Sequence, residues 1–354
     1  MKDNTPLIDI SQFQNDLITW YQANKRDLPW RKEKNAYRIW VSEIMLQQTK
    51  VDTVIPYFNQ FIEKFPTIHD LATANEQDVL KSWEGLGYYS RVRNLQNAIK
   101  EVVASYGGEV PKSASELGSL KGVGPYTKGA ILSIAYDQPE PAVDGNVMRV
   151  LSRILKVQED IAKPRTKKIF EDHIRNIISH TDPSSFNQGM MELGATVCTP
   201  KNPACMLCPV QQHCQAFAEG IEKELPIKSK AKKQKTIPYI VLLIKNKQNS
   251  YLIEKRPNEG LLANLWQFPM ISLSEMGFNE IPNYFEKEYG IKVQLNREVG
   301  KVKHIFSHII WQLELHEATS INTQTAVSDA QFVNKEEMDS YPFSVSHQKV
   351  MQYI

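Results

Sequence analysis

Four cysteines in a chain of 354 residues are too few to support a disulfide framework. Long hydrophobic runs are missing as well. Stretches such as IVLLI at 240–244 fall far short of the ~20 residues that a membrane span needs. The N-terminus, MKDNTPLIDI, has no basic region followed by an apolar stretch, so no secretion signal is expected and a cytoplasmic protein is the default. With only 16 glycines and 19 prolines, beside 42% hydrophobic and 23% charged residues, a collagen, a coiled-coil rod and a wholly disordered chain are excluded. Charge of one sign is also lacking: the net charge is +2. Residues 1–220 carry 25 basic and 25 acidic side chains, residues 221–235 carry 6 lysines and 2 glutamates, and residues 236–354 carry 11 basic and 13 acidic. No part is globally basic, so nucleic-acid binding would have to rest on local patches and backbone donors.

What is present divides into two. At roughly 150 residues per domain, the length suggests two domains. Residues 221–235, IEKELPIKSKAKKQK, lack apolar periodicity and read as an exposed basic linker. Before it, apolar residues recur at helical spacing over 11–24, 36–49, 51–64, 75–82, 91–106, 114–120, 126–136, 144–155, 165–179 and 184–196, with Pro29, Pro66, Gly107, Gly108 and Pro111 between them. After it, IPYIVLLIKN, SYLIEKR, LWQFPMI, KVQL, HIIWQLELHEA and AQFVN read as strands, with helical character over ISLSEMGFNEIPNYFEKEYG. The expectation is an all-α domain over 1–225, a linker over 226–235 and an α+β domain over 236–354.

Three features carry chemistry. Cys198, Cys205, Cys208 and Cys214 form C-x6-C-x2-C-x5-C, and all the cysteines of the chain lie within that loop. Zinc and an iron–sulfur cluster both accept four thiolates. The single C-x2-C in one compact loop favours the cluster, and spacing alone leaves both open. The second feature is Leu120-Lys121-Gly122-Val123-Gly124-Pro125-Tyr126-Thr127, where a helix ends at a glycine turn and another begins at once. Unpaired N–H groups at the new helix suit a DNA phosphate, as in a helix-hairpin-helix. The third is Val143-Asp144-Gly145-Asn146-Val147, in which the segment by itself favours a plain N-cap aspartate.

Taken in this order, the motifs resemble the endonuclease III superfamily of DNA glycosylases, and within it the MutY-type adenine DNA glycosylases. The resemblance is carried by LPWR at 28–31, WVSEIMLQQTKV at 40–51, WEGLGYYSRVRNL at 83–95, GVGPYT at 122–127, VDGNV at 143–147 and NQGMMELGATVC at 187–198. GLLANLWQFP at 260–269 and HIFSH at 304–308 resemble the MutT-related domain of the same proteins. The resemblance implies an all-α helix-hairpin-helix glycosylase domain, followed by an α+β MutT-like, Nudix-fold domain. The first would hold a six-helix barrel over about 29–137 and a cluster domain from 1–28 plus 138–225. It also implies a 4Fe–4S cluster on the four cysteines. The implied partner is double-stranded DNA carrying adenine opposite 8-oxoguanine or guanine, met by a monomer away from any membrane.

Site residues follow from the same resemblance. Glu43 maps to the family's acid, in an apolar setting that raises a carboxyl pKa. Asp144 maps to the group that stabilises the sugar cation, and Asn146 to its orienter. Bifunctional relatives carry lysine two residues after the second hairpin glycine, and this chain has Tyr126, which implies a monofunctional glycosylase using water. Trp30, Arg31, Leu46, Val51 and Gln188 map to the adenine pocket. Gln48 and Thr49 map to contacts with the opposite strand, and Leu86, Gly87 and Tyr88 to the loop that wedges into the stack. Gly122, Val123 and Gly124 would meet phosphate. Phe306, Ser307 and His308 map to the reader of the damaged guanine. The second domain departs from active Nudix hydrolases: NYFEKEYGIKV holds Glu286 and Glu288 but no R-E-x-x-E-E helix, so nucleotide hydrolysis is not expected.

Overall fold

The computed structural model describes residues 8–230, 233–272 and 274–354. Residues 1–7, part of the expected cluster domain, and residues 231 and 232 of the basic linker lie outside them. The chain forms two compact units, one of residues 1–72 and 94–231, the other of residues 73–93 and 232–354. Residues 73–93 therefore group with the C-terminal half, although the sequence divides only at the linker.

The first unit is helical, and its helices start where the side chains allow. Asp9, Asn35, Ser113, Asp144 and Asp182 each accept a backbone N–H at a helix N-terminus. Proline opens the helices Pro125–Tyr136, Pro164–Ile177 and Pro183–Thr196. The helix Ala36–Leu46 ends three residues short of the expected 49, because Gln47 leaves the helical region at ψ 112° and Gln48 turns to φ +58°. Gln48 and Thr49 are thereby lifted out of the helix. One core joins Phe13, Leu17, Val147, Val150, Leu151, Ile154, Phe170, Ile174, Phe186, Met190 and Leu193, all at most 3% exposed. Burying each such side chain stabilises by roughly 1.5–3 kcal/mol. Cys198, Cys208 and Cys214 pack on the edge of this core.

The second unit is built on a seven-stranded mixed sheet. Its strands are β1 (Lys235–Asn246), β2 (Tyr251–Lys255), β3 (Trp266–Gln267), β4 (Met270–Ser272), β5 (Val293–Ile305), β6 (Ile309–Ser320) and β7 (Ala330–Val333). The main path runs β3-β2-β1-β6-β5, with β4 also on β1 and β7 on β2; β1 and β6 are parallel and the other pairs antiparallel. The apolar run at 240–244 is the centre of β1, buried on both faces as a central strand must be. Val241 and Leu243 face a core with Phe268, Trp311 and Phe343, while Ile240, Leu242 and Ile244 face Ile281 and Phe285. A strand over 292–295 is expected from the sequence, and β5 instead continues to Ile305. Its polar stretch hides the alternation, and register shifts between Leu295 and Gly300 bend it.

Residues 73–93 are tied into this second unit by side chains. Gln77 donates to the Asn264 carbonyl at 3.2 Å and accepts from Trp266 Nε1 at 2.9 Å. Glu76 accepts from Asn264 Nδ2 at 2.8 Å, and Glu84 accepts the Phe343 N–H at 2.7 Å. Among the described residues, no helix is long and apolar enough to cross a membrane.

Candidate active site

The first unit holds a cavity of about 640 Å³ whose wall includes Trp30, Arg31, Glu43, Leu46, Gln48, Thr49, Val51, Gly122, Gly124, Tyr126, Asp144, Asn146 and Gln188. Residues far apart in sequence, marked separately by their motifs, thus share one surface. Val123 is buried instead, its N–H closing the hairpin turn on the Leu120 carbonyl at 3.1 Å. Gly122 sits at φ +81°, and a Cβ there would lie 2.8 Å from Asn94 Cβ, so the turn admits only glycine.

Glu43 is 5% exposed on the helix Ala36–Leu46. Burial pushes its carboxyl up to about 7; the hydrogen bond from Tyr126 pulls the other way, and the neighbouring Asp144 charge raises it further. Tyr126 OH donates to Glu43 Oε2 at 2.5 Å. Burial and the two carboxyls hold the phenol well above its ordinary range, so it stays a donor.

Asp144 caps the helix Gly145–Ile154, its Oδ1 accepting the Val147 N–H at 2.7 Å. Cap and cavity wall are one residue. Oδ2 accepts from Asn146 Nδ2 at 2.9 Å. Burial raises this carboxyl, and the Val147 and Asn146 donors with the Arg149 charge draw it back. Arg149 continues the path: it donates to Asn146 Oδ1 at 2.9 Å, to the Gly194 carbonyl at 2.8 Å and, through Nε, to the Cys198 carbonyl at 2.8 Å. At Gly194 a Cβ would lie 2.6 Å from Asn146 Cβ, so glycine there lets Asn146 come in. A hydrogen-bonded chain therefore runs from Asp144 to the first cysteine of the metal loop.

Arg26 and Glu192 are among the wall residues that the sequence did not single out. Glu192, 1% exposed, accepts from Arg26 Nε at 2.6 Å and from Arg31 Nη2 at 2.7 Å. Burial alone would raise its carboxyl, and the two guanidinium groups outweigh it and hold the value at about 2. Glu192 lies one helical turn beyond Gln188, and that i, i+4 spacing was the available signal. Arg31, expected at the adenine pocket, has its guanidinium engaged by Glu192 and over the Tyr21 ring.

The four cysteines line a small apolar cavity with Val150, Ile154, Leu193, Val197, Val210 and Phe217. Burial pushes the Cys208 thiol up to about 12 and raises Cys214, so thiolates there need cationic partners. Arg153, 1% exposed, supplies one, donating from Nη1 to Cys198 Sγ at 3.1 Å and also to the Thr199, Pro200 and Leu225 carbonyls. Four soft ligands at one dry site fit an iron–sulfur centre.

The other expected residues lie in the second unit. A cavity of about 510 Å³ is lined by Gly87, Tyr88, Phe306, Ser307 and His308. Leu86 is buried beside it in sequence. The F-S-H turn joins β5 to β6, closed by the Phe306 N–H on the Ile309 carbonyl at 2.9 Å. Ser307 and His308 are exposed, whereas the Phe306 ring packs edge-on against His304 and Trp311 and so anchors the turn. Tyr88 OH and Ser307 Oγ are hydrogen-bonded at 2.5 Å.

Three stretches of the chain match known protein families. Residues 41–176 match the HhH-GPD superfamily of base excision DNA repair proteins, residues 198–214 the iron–sulfur binding domain of endonuclease III, and residues 240–353 a NUDIX domain. A thermostable thymine-DNA glycosylase shares the fold over 59% of this chain and 97% of its own, with TM-score 0.53 at 24% identity. Endonuclease III trapped as a covalent intermediate with DNA does so over 61% of this chain and 100% of its own, with TM-score 0.51 at 23% identity. The protein is thus a helix-hairpin-helix base-excision-repair glycosylase with an iron–sulfur loop and a Nudix-fold second half. The adenine DNA glycosylase of Rattus norvegicus is 35% identical over 98% of this chain and 78% of its own length, and that of Homo sapiens 33% over 97% and 74%. This chain belongs to the adenine DNA glycosylase family. The match at 198–214 makes the metal centre a 4Fe–4S cluster and not zinc.

Proposed function

We propose that the protein removes adenine paired with 8-oxoguanine, or with guanine, from duplex DNA by hydrolysis, without cutting the strand. The observation that carries this reading is the Glu43–Asp144 pair in the first cavity, two carboxyls with different surroundings. Glu43, near 7, is a proton donor at neutral pH. Asp144, with more donors directed at it, is the better anion. In the reaction the Glu43 carboxyl gives its proton to a ring nitrogen of the purine. The electron pair of the bond to the sugar then leaves with the base. Asp144 faces the resulting sugar cation, water adds at C1′, and its surplus proton passes to a carboxylate. The cluster supplies loop structure, and no proton step runs through it.

Reading of the opposite base is assigned to Gln48 and Thr49 on the first cavity and to Tyr88, Ser307 and His308 in the second unit. Guanine N7 is only an acceptor, whereas 8-oxoguanine carries a hydrogen there. A serine oxygen whose own hydrogen is turned to Tyr88 would accept the second and repel the first. The test is incubation with adenine:8-oxoguanine duplex, followed by neutral or hot-alkali work-up. Strand breaks after alkali alone support the reading; breaks without alkali, or none at all, contradict it.

Position 126 gives a sharper expectation. Tyr126→Lys places an amine in the cavity against Glu43. Some strand cleavage and a borohydride-trapped DNA adduct are expected. Excision should also slow, because an ammonium beside Glu43 pulls its pKa back toward the ordinary carboxyl range. A variant that excises adenine but never traps would show that the amine cannot reach C1′ from this position.

A further inference from the structure

Tyr88 ends a loop held in an uncommon backbone conformation: Gly85, Gly87 and Tyr88 have φ of +98°, +71° and +49°. For a non-glycine residue that region is strained, and the surroundings must hold it there. Tyr88 is also 44% exposed, so little packing restrains its ring. The restraints converge on Arg91. Its Nη2 donates to the Leu86 carbonyl at 3.3 Å and to the Gly87 carbonyl at 3.1 Å, and its backbone N–H donates to the Tyr88 carbonyl at 2.9 Å. The guanidinium lies over two rings, 5.5 Å from the Trp83 centroid and 5.4 Å from that of Tyr88. Trp83 Nε1 joins it on the Gly87 carbonyl at 3.2 Å. All of these groups, with Ser307 beyond Tyr88, belong to one compact unit.

We propose that Arg91 is a positioning residue of the opposite-base reader: it clamps the 85–88 loop so that Tyr88 meets Ser307, and thereby sets the preference for 8-oxoguanine over guanine. The inference rests on the proposed role of Tyr88 and Ser307. One guanidinium nitrogen bonds both carbonyls while the flat group lies over two rings; a lysine ammonium could reach the carbonyls but has no flat face to lie between the rings. Burial draws this guanidinium down to about 10, which leaves it cationic at neutral pH.

The test is single-turnover excision by the full-length, cluster-loaded protein, with iron per chain as the folding control. The duplexes carry adenine opposite 8-oxoguanine, guanine or a tetrahydrofuran abasic analogue. The variants are Arg91→Met, Arg91→Lys, Tyr88→Ala and the Arg91→Met, Tyr88→Ala double. Arg91→Met is expected to lower the 8-oxoguanine preference about tenfold, the scale of one or two hydrogen bonds. Excision opposite tetrahydrofuran should stay within about twofold, since no base remains there to be read. Arg91→Lys should share the loss, and Arg91→Met should add nothing once Tyr88→Ala is present. If Tyr88→Ala loses preference and Arg91→Met keeps it, or if their losses multiply, the proposal is overturned. It is also overturned if Arg91→Lys has full preference, including the case where Arg91→Met fails to load iron. A flatter salt dependence with equal weakening on all duplexes would make Arg91 a phosphate contact instead. If Tyr88→Ala itself keeps the preference, the proposed role of Tyr88 has failed, an outcome distinct from these.

Discussion

Glu43→Gln is expected to bind mispaired duplex as the parent protein does and to excise adenine at least about 100-fold more slowly, because general acid catalysis contributes roughly 10²–10⁴. The replacement keeps the shape of the side chain. Its amide oxygen can still accept from Tyr126 OH, and the apolar residues around Glu43 lose no volume. Removing a buried ionisable carboxyl should, if anything, relieve the fold. What the amide lacks is a transferable proton. The measurement is single-turnover release of adenine at saturating protein, with binding followed separately on the same duplex. Near-parent excision by this variant would remove Glu43 from the acid role.

Asp144→Asn is the second large effect. Asparagine is as good an N-cap as aspartate, so the helix Gly145–Ile154 should still start at Val147 N–H. The charge proposed to face the sugar is lost. The Asn146 amide that now donates to Oδ2 must also turn or meet another donor. Removing one preorganised electrostatic group of this kind costs roughly 10²–10³ in rate. Excision is expected to fall by about that factor, with a thermal midpoint close to that of the parent. A variant that unfolds early would show that the loss came through the helix. One that cleaves at the parent rate would take Asp144 out of the chemistry.

The two carboxyls also show how far a sequence can be read. Asp144 looks like a cap when its segment is taken alone, and it is a cap; its place on the cavity wall depends on the elements brought opposite it, which local pattern does not encode. Glu43 stands out through its apolar neighbours, and those neighbours produce the raised pKa. Gln48 was expected from its motif, and its lift out of the helix depends on one positive φ that no composition rule marks. Glu192 looks like an ordinary helix glutamate until Arg26 and Arg31 arrive from a segment more than 160 residues earlier. The longer helix spans were legible to within a few residues because caps and prolines punctuate them, whereas the six-residue helices Ile68–Thr73 and Val345–Val350 are too short to show a period. β5 was not, since an edge strand with a bulge carries little alternation. The grouping of residues 73–93 with the C-terminal half was hidden for a similar reason. Polar side chains carry no local sign of their partners, and Glu76, Gln77 and Glu84 bond to residues 264, 266 and 343.

If a buried, half-protonated Glu43 drives adenine loss opposite 8-oxoguanine, single-turnover excision from that duplex must follow the titration of Glu43. The acid must be protonated to act, and its pKa is raised to about 7. The rate constant is therefore expected to be highest below pH 7 and to fall about tenfold per pH unit once the pH is well above it. A rate constant that stays level between pH 6 and pH 9, or that rises through pH 7, would show that Glu43 is not the acid.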